Sequence, residues 1–206
     1  VKAFAASRYL VSNQEFLGFV EDDGYTQPQL WSTEGQAWLE FSQAKHPTFW
    51  LASAQGWQLR LMTDVVTMHW NWPVEINFHE GKAFCNWKSK ITGEKVRLPS
   101  EDEWYALYQN THLSPEQIQQ YANLQLNLAA SSCPVDHFIH GEFYDVQGNV
   151  WQWTETPIYP FDGFQVHPLY DDFTTPTFDG EHHVIKGGSW ISSGNEILHS
   201  ARYAFR

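Results

Sequence analysis

The chain has 206 residues and a mass of 24.0 kDa, a size that suits one domain. Its 12 basic and 24 acidic residues give a net charge of −12, which repels phosphate backbones and disfavours nucleic acid as a partner. No apolar run approaches the roughly 18 residues of a membrane span, so no membrane segment is expected. Two cysteines, Cys85 and Cys133, are too few for a disulfide scaffold, and a reducing cytoplasmic setting is the default expectation.

Four helix starts are predicted from capping chemistry. At each start, a small polar side chain can accept a hydrogen bond from a free amide of the first turn, and a Glu or Gln three residues later can reach back. Apolar residues at helical spacing follow every start, as on one buried helix face. In chain order the pairs are Ser12 with Glu15, Asn77 with Glu80, Ser100 with Glu103, and Ser114 with Gln117.

From about Leu124 onward the helical period disappears, and turn-forming residues separate short apolar runs. Residues 150–154 and 183–186 are predicted to be short strands. The stretch 154–181 holds four prolines and two glycines. We interpret it as the wall of a cleft or, with equal weight, as an ordinary covering loop.

A metal site built from histidines alone has little support in the spacing. None of the ten histidines is followed by another four residues later, which excludes a stacked ligand pair on a helix. His137 and His140 could form a ligand pair with nearby acidic residues, but turn-forming histidines in a solvated loop are the simpler interpretation. The phosphate-binding, dinucleotide-binding and hydrolase glycine motifs are all missing from the sequence.

Four motifs occur in a fixed order over nearly the whole chain: Ala83 to Trp87, Arg97 to Trp104, Gly148 to Thr154, and Gly187-Gly188-Ser189-Trp190. Together they resemble the formylglycine-generating enzyme (sulfatase-modifying factor, FGE-sulfatase) domain. The resemblance implies one domain over residues 1–206 with a loop-rich α+β fold of C-type-lectin-like type. It also implies short helices in the first half and short strands in the second.

Within that family the chain resembles the sulfoxide synthases of thiol-histidine biosynthesis, most of all the 5-histidylcysteine sulfoxide synthases of the ovothiol pathway. In formylglycine-generating enzymes a working cysteine pair follows Gly-Gly-Ser, whereas residues 190–199 here contain no cysteine. This departure favours another chemistry on the same scaffold. The motifs that carry the closer resemblance are Tyr9 to Tyr25, Trp70 to Asn77, Tyr159 to Phe164, and Ser200 to Arg206.

The resemblance implies a reaction in which iron(II) and oxygen join the sulfur of cysteine to the imidazole of histidine as a sulfoxide. The family's iron ligands come from a preceding helical domain with a His-x3-His-x-Glu pattern, and no His-x3-His occurs here. We therefore expect this chain to be a segment of a longer polypeptide, inactive by itself. The expected partners are cysteine, histidine, oxygen and that iron-binding domain.

The same resemblance assigns candidate site residues. Tyr159 matches the family's catalytic tyrosine, a proton or hydrogen-atom donor, with simple packing between two prolines as the alternative. A second group of residues is expected to bind substrate: Trp153, Asp162, Phe164 and Trp190. For each of them the alternative is core packing or turn formation.

The resemblance also implies a calcium site. Its ligands would be Asp145, the carbonyl groups of Gly148 and Val150, and the side chain of Gln152, where the family usually has glutamate. Replacing a carboxylate with an amide weakens a site for a hard cation. Two alternatives to the ovothiol-type function remain open: an ergothioneine-pathway sulfoxide synthase, and a ligand-binding module without catalysis.

Overall fold

Five α-helices and eight short strands occur in the part of the chain that the structure describes, residues 1–169 and 175–206 of a computed structural model. The helices are α1 (Asn13–Glu21), α2 (Thr33–Ser42), α3 (Phe78–Thr92), α4 (Glu101–Asn110) and α5 (Pro115–Gln120). The strands are β1 (Trp50–Ser53), β2 (Gly56–Arg60), β3 (Val65–Thr67), β4 (Ile139–His140), β5 (Phe143–Tyr144), β6 (Gln152–Pro157), β7 (His183–Lys186) and β8 (Tyr203–Phe205). None of these helices is long and apolar enough to cross a membrane.

The four predicted helices are confirmed as α1, α3, α4 and α5, each starting directly after its predicted capping residue. In α3 the amide of Glu80 donates to Asn77 Oδ1 at 2.9 Å, and the amide of Asn77 donates back to Glu80 Oε2 at 2.9 Å. Gly93, with φ of 72°, ends this helix in the left-handed conformation that glycine adopts without strain. Local sequence thus sets both ends of α3, through a capping side chain at the start and a glycine at the end.

The first half also contains elements that the sequence did not predict. Ser32 caps α2 by accepting from the amide of Gly35, but no Glu or Gln stands at that third position to mark the start. Strands β1, β2 and β3 form an antiparallel sheet in the order β1-β2-β3. The α+β, loop-rich class is confirmed, with this additional sheet among the helices of the first half.

The second half carries the sheet that shapes the candidate site. Strands β6, β7 and β8 are antiparallel in that order, with Gln152 opposite Lys186 and Ile185 opposite Tyr203. Strand β7 has the predicted bounds, whereas β6 starts two residues later than predicted and extends to Pro157. Because side chains alternate along a strand, Ile185 and Lys186 face opposite sides of the sheet.

Aromatic rings form the core between α1, α3 and the first sheet. Phe16 stacks on Phe84 with centroids 5.2 Å apart, and Trp50 meets Phe16 edge-on at 6.4 Å. The buried indole of Trp50 donates to Asn13 Oδ1 at 3.0 Å, and that of Trp31 donates to the carbonyl of Gly24 at 2.9 Å. A core so rich in tryptophan is therefore also threaded with hydrogen bonds, which offset the cost of burying indole N–H groups.

Candidate functional site

A pocket of about 530 Å³ opens where the β6–β7–β8 sheet meets the start of α3. It brings together segments that are far apart in sequence, including the Gly148-to-Thr154 motif and the segment that follows β7. Two of the predicted substrate-binding residues, Trp153 and Trp190, both line it. The full lining is Thr48, Phe49, Val74, Glu75, Ile76, Asn77, Glu80, Val150, Trp151, Trp153, Ile185, Ser189, Trp190 and Ile191.

Strand pairing and main-chain hydrogen bonds hold the tryptophans in place. Trp153 lies opposite Ile185 across the β6–β7 pair, and its indole donates to the carbonyl of Ile76 at 3.0 Å. The amide of Trp190 donates to the carbonyl of Asn149 at 3.0 Å. Trp151, the residue just before the start of β6, also lines the pocket.

Glu75 and Glu80 are the charged residues in this lining. Glu80 is 2% exposed; its Oε1 accepts from the hydroxyl of Tyr25 at 2.5 Å and its Oε2 from the amide of Asn77. Burial raises the pKa of Glu80 to about 7, and it raises the pKa of Glu75 as well. Aromatic walls beside two desolvated carboxyl groups suit a ligand with a flat apolar body and a donor or positively charged group.

Sequence reasoning did not identify these two carboxyl groups as site residues. Glu80 was recognised as a capping residue, which the structure confirms, but its place at the pocket depends on how α3 packs. Glu75 belongs to no local pattern that marks a binding residue. Only the assembly of separate segments in three dimensions could reveal them.

Three other predicted site residues do not line this pocket. Tyr159 is 51% exposed and lies beyond the end of β6, where its ring contacts the guanidinium of Arg202 at 5.2 Å. Phe164 meets Phe178 edge-on at 5.6 Å. Asp162 is exposed in a turn that the amide of Phe164 closes by donating to the carbonyl of Phe161 at 2.9 Å. The structure therefore groups Trp153 with Trp190 and places the Tyr159 loop elsewhere.

Neither cysteine belongs to the pocket. Cys85 and Cys133 are both buried and free, and burial raises their thiol pKa values to about 11 and about 12. The residues around Gly-Gly-Ser are instead joined by hydroxyl groups, with the amide of Ser189 donating to Ser192 Oγ at 3.1 Å. The reactive thiolate pair of a formylglycine-generating enzyme has no counterpart here.

Iron ligands do not converge in this part of the protein. Among residues 1–169 and 175–206, no group of three or more His, Cys, Asp or Glu side chains is arranged to hold a metal ion. His140 is buried, with its Nε2 2.8 Å from the carbonyl oxygen of Tyr121, whereas His137 is exposed beside Phe138. These two histidines do not form the ligand pair considered from the sequence.

The four residues expected to bind calcium lie in one tightly bonded turn. Asp145 is fully buried; its Oδ2 accepts from Asn149 Nδ2 at 3.2 Å, and its Oδ1 has no hydrogen-bond partner among residues 1–169 and 175–206. Gln152, however, directs its amide nitrogen at the carbonyls of Asp145 and Val146, at 2.9 and 3.2 Å. The side-chain amide of Gln152 therefore occupies two main-chain carbonyl oxygens that could otherwise bind a cation. The free Asp145 oxygen favours a cation, whereas Gln152 disfavours one.

The sequence matches the sulfatase-modifying factor enzyme 1-like domain family over residues 1–206, and the chain belongs to this FGE-sulfatase family. It is 27% identical to hercynine oxygenase of Mycobacterium tuberculosis over 92% of this chain, and 29% identical to the formylglycine-generating enzyme of Mus musculus over 93%. It is also 22% identical to ergothioneine biosynthesis protein 1 of Schizosaccharomyces pombe over 94% of this chain.

The chain spans only part of each of these relatives: 46% of the hercynine oxygenase, 58% of the formylglycine-generating enzyme and 22% of the ergothioneine biosynthesis protein. Among solved structures it is similar to PvdO of Pseudomonas aeruginosa, with a TM-score of 0.48 and 16% identity over 95% of this chain and 75% of that one. The family assignment rests on the sequence match. The relatives named here include an oxygenase and a formylglycine-generating enzyme, so the chain is similar to enzymes.

Proposed function

We propose that this domain forms the substrate-facing wall of an iron(II)- and oxygen-dependent sulfoxide synthase that joins the sulfur of cysteine to the imidazole of histidine. The observation that carries the proposal is the pocket that groups Trp153 and Trp190 beside Glu75, without a reactive thiol. A formylglycine-generating activity would need a cysteine pair that the sequence lacks. The similarity to hercynine oxygenase over nearly the whole chain supports oxygenase chemistry.

The reaction balances with oxygen as the sole oxidant. A thiol S–H and an imidazole C–H are replaced by one C–S bond, one oxygen atom becomes the sulfoxide, and the other leaves as water. Iron(II), bound by a domain outside this chain, would supply oxygen activation and thiolate binding. The chain's own residues would bind and orient the organic substrate and exclude water from it.

Each candidate residue has a defined role in this proposal. Trp153 and Trp190 would hold the imidazole by stacking, and the carboxyl group of Glu75 would accept from an imidazole N–H or pair with a substrate ammonium. Tyr159 would donate a proton from its phenol, with Asp162 and Phe164 completing its loop. Calcium binding at the turn that contains Asp145 and Gln152 is a separate proposal. Such binding would affect the stability of the turn and not the reaction.

The choice of thiol and histidine derivative is the finer part of the proposal. The motifs around residues 9–25 and 159–164 favour the ovothiol-type pair, free cysteine and histidine. The similarity to hercynine oxygenase favours the alternative, an ergothioneine-type pair of a thiol and trimethylhistidine. Both alternatives use the same pocket and the same bond formation.

A competition experiment tests the function and the substrate pair together. The longer polypeptide that carries this domain, loaded with iron(II) without oxygen, receives cysteine, histidine, γ-glutamylcysteine and trimethylhistidine in one mixture before oxygen is admitted. We expect mass spectrometry to detect mainly the cysteine–histidine sulfoxide. A dominant trimethylhistidine product would move the assignment to the ergothioneine type. Binding of the substrates without any coupled product would indicate a ligand-binding module.

A further inference from the structure

A fully buried lysine lies on the face of the β6–β7–β8 sheet opposite the pocket. Lys186, the last residue of β7, is 0% exposed, and its Nζ donates to the carbonyls of His199 and Ala201 at 2.8 and 2.7 Å. It also donates to the hydroxyl of Tyr105 at 3.1 Å and lies 3.8 Å from Glu101 Oε1. A buried ammonium is costly unless such partners surround it, so this lysine fixes the chain around residues 199–201 against the sheet.

Glu101 extends this cluster to Arg202. The carboxylate accepts from Arg202 Nε at 2.9 Å and from Nη2 at 3.0 Å, a two-bond arrangement that sets the plane of the guanidinium. Glu101 itself is held at the first turn of α4, where its amide donates to Thr156 Oγ1 at 2.9 Å. The position of Arg202 is therefore determined by a helix and two strands rather than by its own flexible side chain.

This fixed guanidinium also contacts the loop after β6. Its carbon lies 4.6 Å from the ring centroid of Phe161 and 5.2 Å from that of Tyr159. Its Nη1 also donates to the carbonyl of Tyr159 at 3.4 Å. Next along the chain, Tyr203 meets Trp151 of the pocket wall edge-on at 5.5 Å. One two-residue segment thus contacts both the Tyr159 loop and the pocket.

We propose that Arg202, fixed by Glu101, is a positioning residue that holds the Tyr159–Phe161 segment in a set place relative to the pocket. The two cation–π contacts and the charge-assisted hydrogen bond each stabilise this ordered arrangement of an exposed loop. The expected effect of Arg202 on the reaction depends on the proposed role of Tyr159. The anchoring of the loop by Arg202 is independent of that role.

Hydrogen exchange measured by mass spectrometry on the longer polypeptide tests the anchoring directly. In Arg202→Gln we expect amide exchange in residues 158–164 to become about tenfold faster, because the stacking cation is lost and the shorter amide side chain does not replace the guanidinium donor at the Tyr159 carbonyl. Arg206→Gln is the matched control: this arginine pairs with Glu34 and Glu181 and is itself exposed. Equal exchange of this loop in the two variants would overturn the proposal.

Two further variants guard against a general loss of folding. Arg202→Lys keeps a positive charge for Glu101 but loses the planar two-bond geometry, so we expect an intermediate rate of exchange. Phe161→Leu changes a ring that is 66% exposed and leaves the Glu101 pair intact. It should loosen the loop without lowering overall stability. An unchanged loop in Phe161→Leu would show that stacking on Arg202 does not order it and would also overturn the proposal.

Turnover separates positioning from a structural role. We expect Arg202→Gln to lower kcat between about tenfold and a hundredfold with little change in KM, and the double variant with Tyr159→Phe to match Tyr159→Phe alone. Additive losses would overturn the link between Arg202 and the reaction. If Tyr159→Phe alone changes neither rate nor product while Arg202→Gln loosens the loop, the anchoring stands and the proposed role of Tyr159 fails.

Discussion

Glu80 combines a structural and an electrostatic role in one buried side chain. As the third residue of α3 it completes the capping box with Asn77, and it accepts a short hydrogen bond from Tyr25. Burial is nevertheless the larger influence, and it raises the pKa of Glu80 from 4.5 to about 7. The folded protein therefore holds this proton over a pH range in which the unfolded chain has already released it.

The pH dependence of stability should reveal this proton. Between about pH 4.5 and 7 the folded state binds more protons at Glu80, so stability falls as pH rises through this window. Glu80→Gln removes the titration and keeps an acceptor for Tyr25. We expect it to gain up to about 3 kcal/mol relative to wild type between pH 4.5 and 8, measured by urea unfolding. The exposed Glu94→Gln serves as control, and parallel curves for wild type and Glu80→Gln would contradict the assignment.

At the scale of elements, the turn before β6 shows how backbone conformation supports the pocket. Gly148 has φ of 85°, and a Cβ there would lie 2.9 Å from the carbonyl oxygen of Asn123. Its amide donates to the carbonyl of Gly187 at 2.8 Å, which ties the two glycine motifs to each other. The following residue, Asn149, accepts from Trp190 of the pocket wall. Glycine is required here both for its conformation and for its lack of a side chain.

Replacing two glycines separates these requirements. Gly163 also has a positive φ, of 81°, but a Cβ there would meet no atom of the described residues within 4 Å. We expect Gly163→Ala to cost about 1 kcal/mol from backbone strain alone, and Gly148→Ala to cost about 3 kcal/mol or more because main-chain atoms must also move. Urea unfolding measures both. Equal losses would show that the close approach to Asn123 is unimportant.

The elements that the sequence predicted are those whose signal is local. Four helices carry a capping box or an equivalent pair, and all four begin where expected. Helix α2 lacks the Glu or Gln of that box, since Gly35 occupies the position. The β1–β2 hairpin turns through Ala54 and Gln55, which do not carry the usual asparagine or glycine signal. These elements are stabilised mainly by packing against distant residues, which no short pattern records.

The candidate site shows the same difference between residues in recognisable motifs and residues that only the fold brings together. Trp153 and Trp190 lie in the glycine and tryptophan motifs of the family resemblance, and the fold places both in the lining of one pocket. Glu75 and Phe49 come from segments that only the fold brings near them. Tyr159 is positioned by Arg202, which lies 43 residues further along the chain. No local sequence pattern indicates this contact.

At the scale of the whole molecule, the pocket and the absence of a metal-ligand group among the described residues indicate which part of the site this domain provides. The described residues supply aromatic walls and carboxyl groups, and no group of three or more His, Cys, Asp or Glu side chains among them is arranged to hold a metal ion. The hercynine oxygenase relatives are more than twice as long as the part that this chain matches. We accordingly propose that iron binding belongs to another domain of a longer polypeptide, and that neither part alone completes the site.

Product analysis of the two forms of the protein tests this central claim most directly. The longer polypeptide and the 206-residue chain alone are each loaded with iron(II) without oxygen, given cysteine and histidine, and then exposed to oxygen. We predict that mass spectrometry finds the cysteine–histidine sulfoxide with the longer polypeptide only. Sustained formation of that product by the 206-residue chain alone would contradict the account, because the chain would then contain a complete iron site.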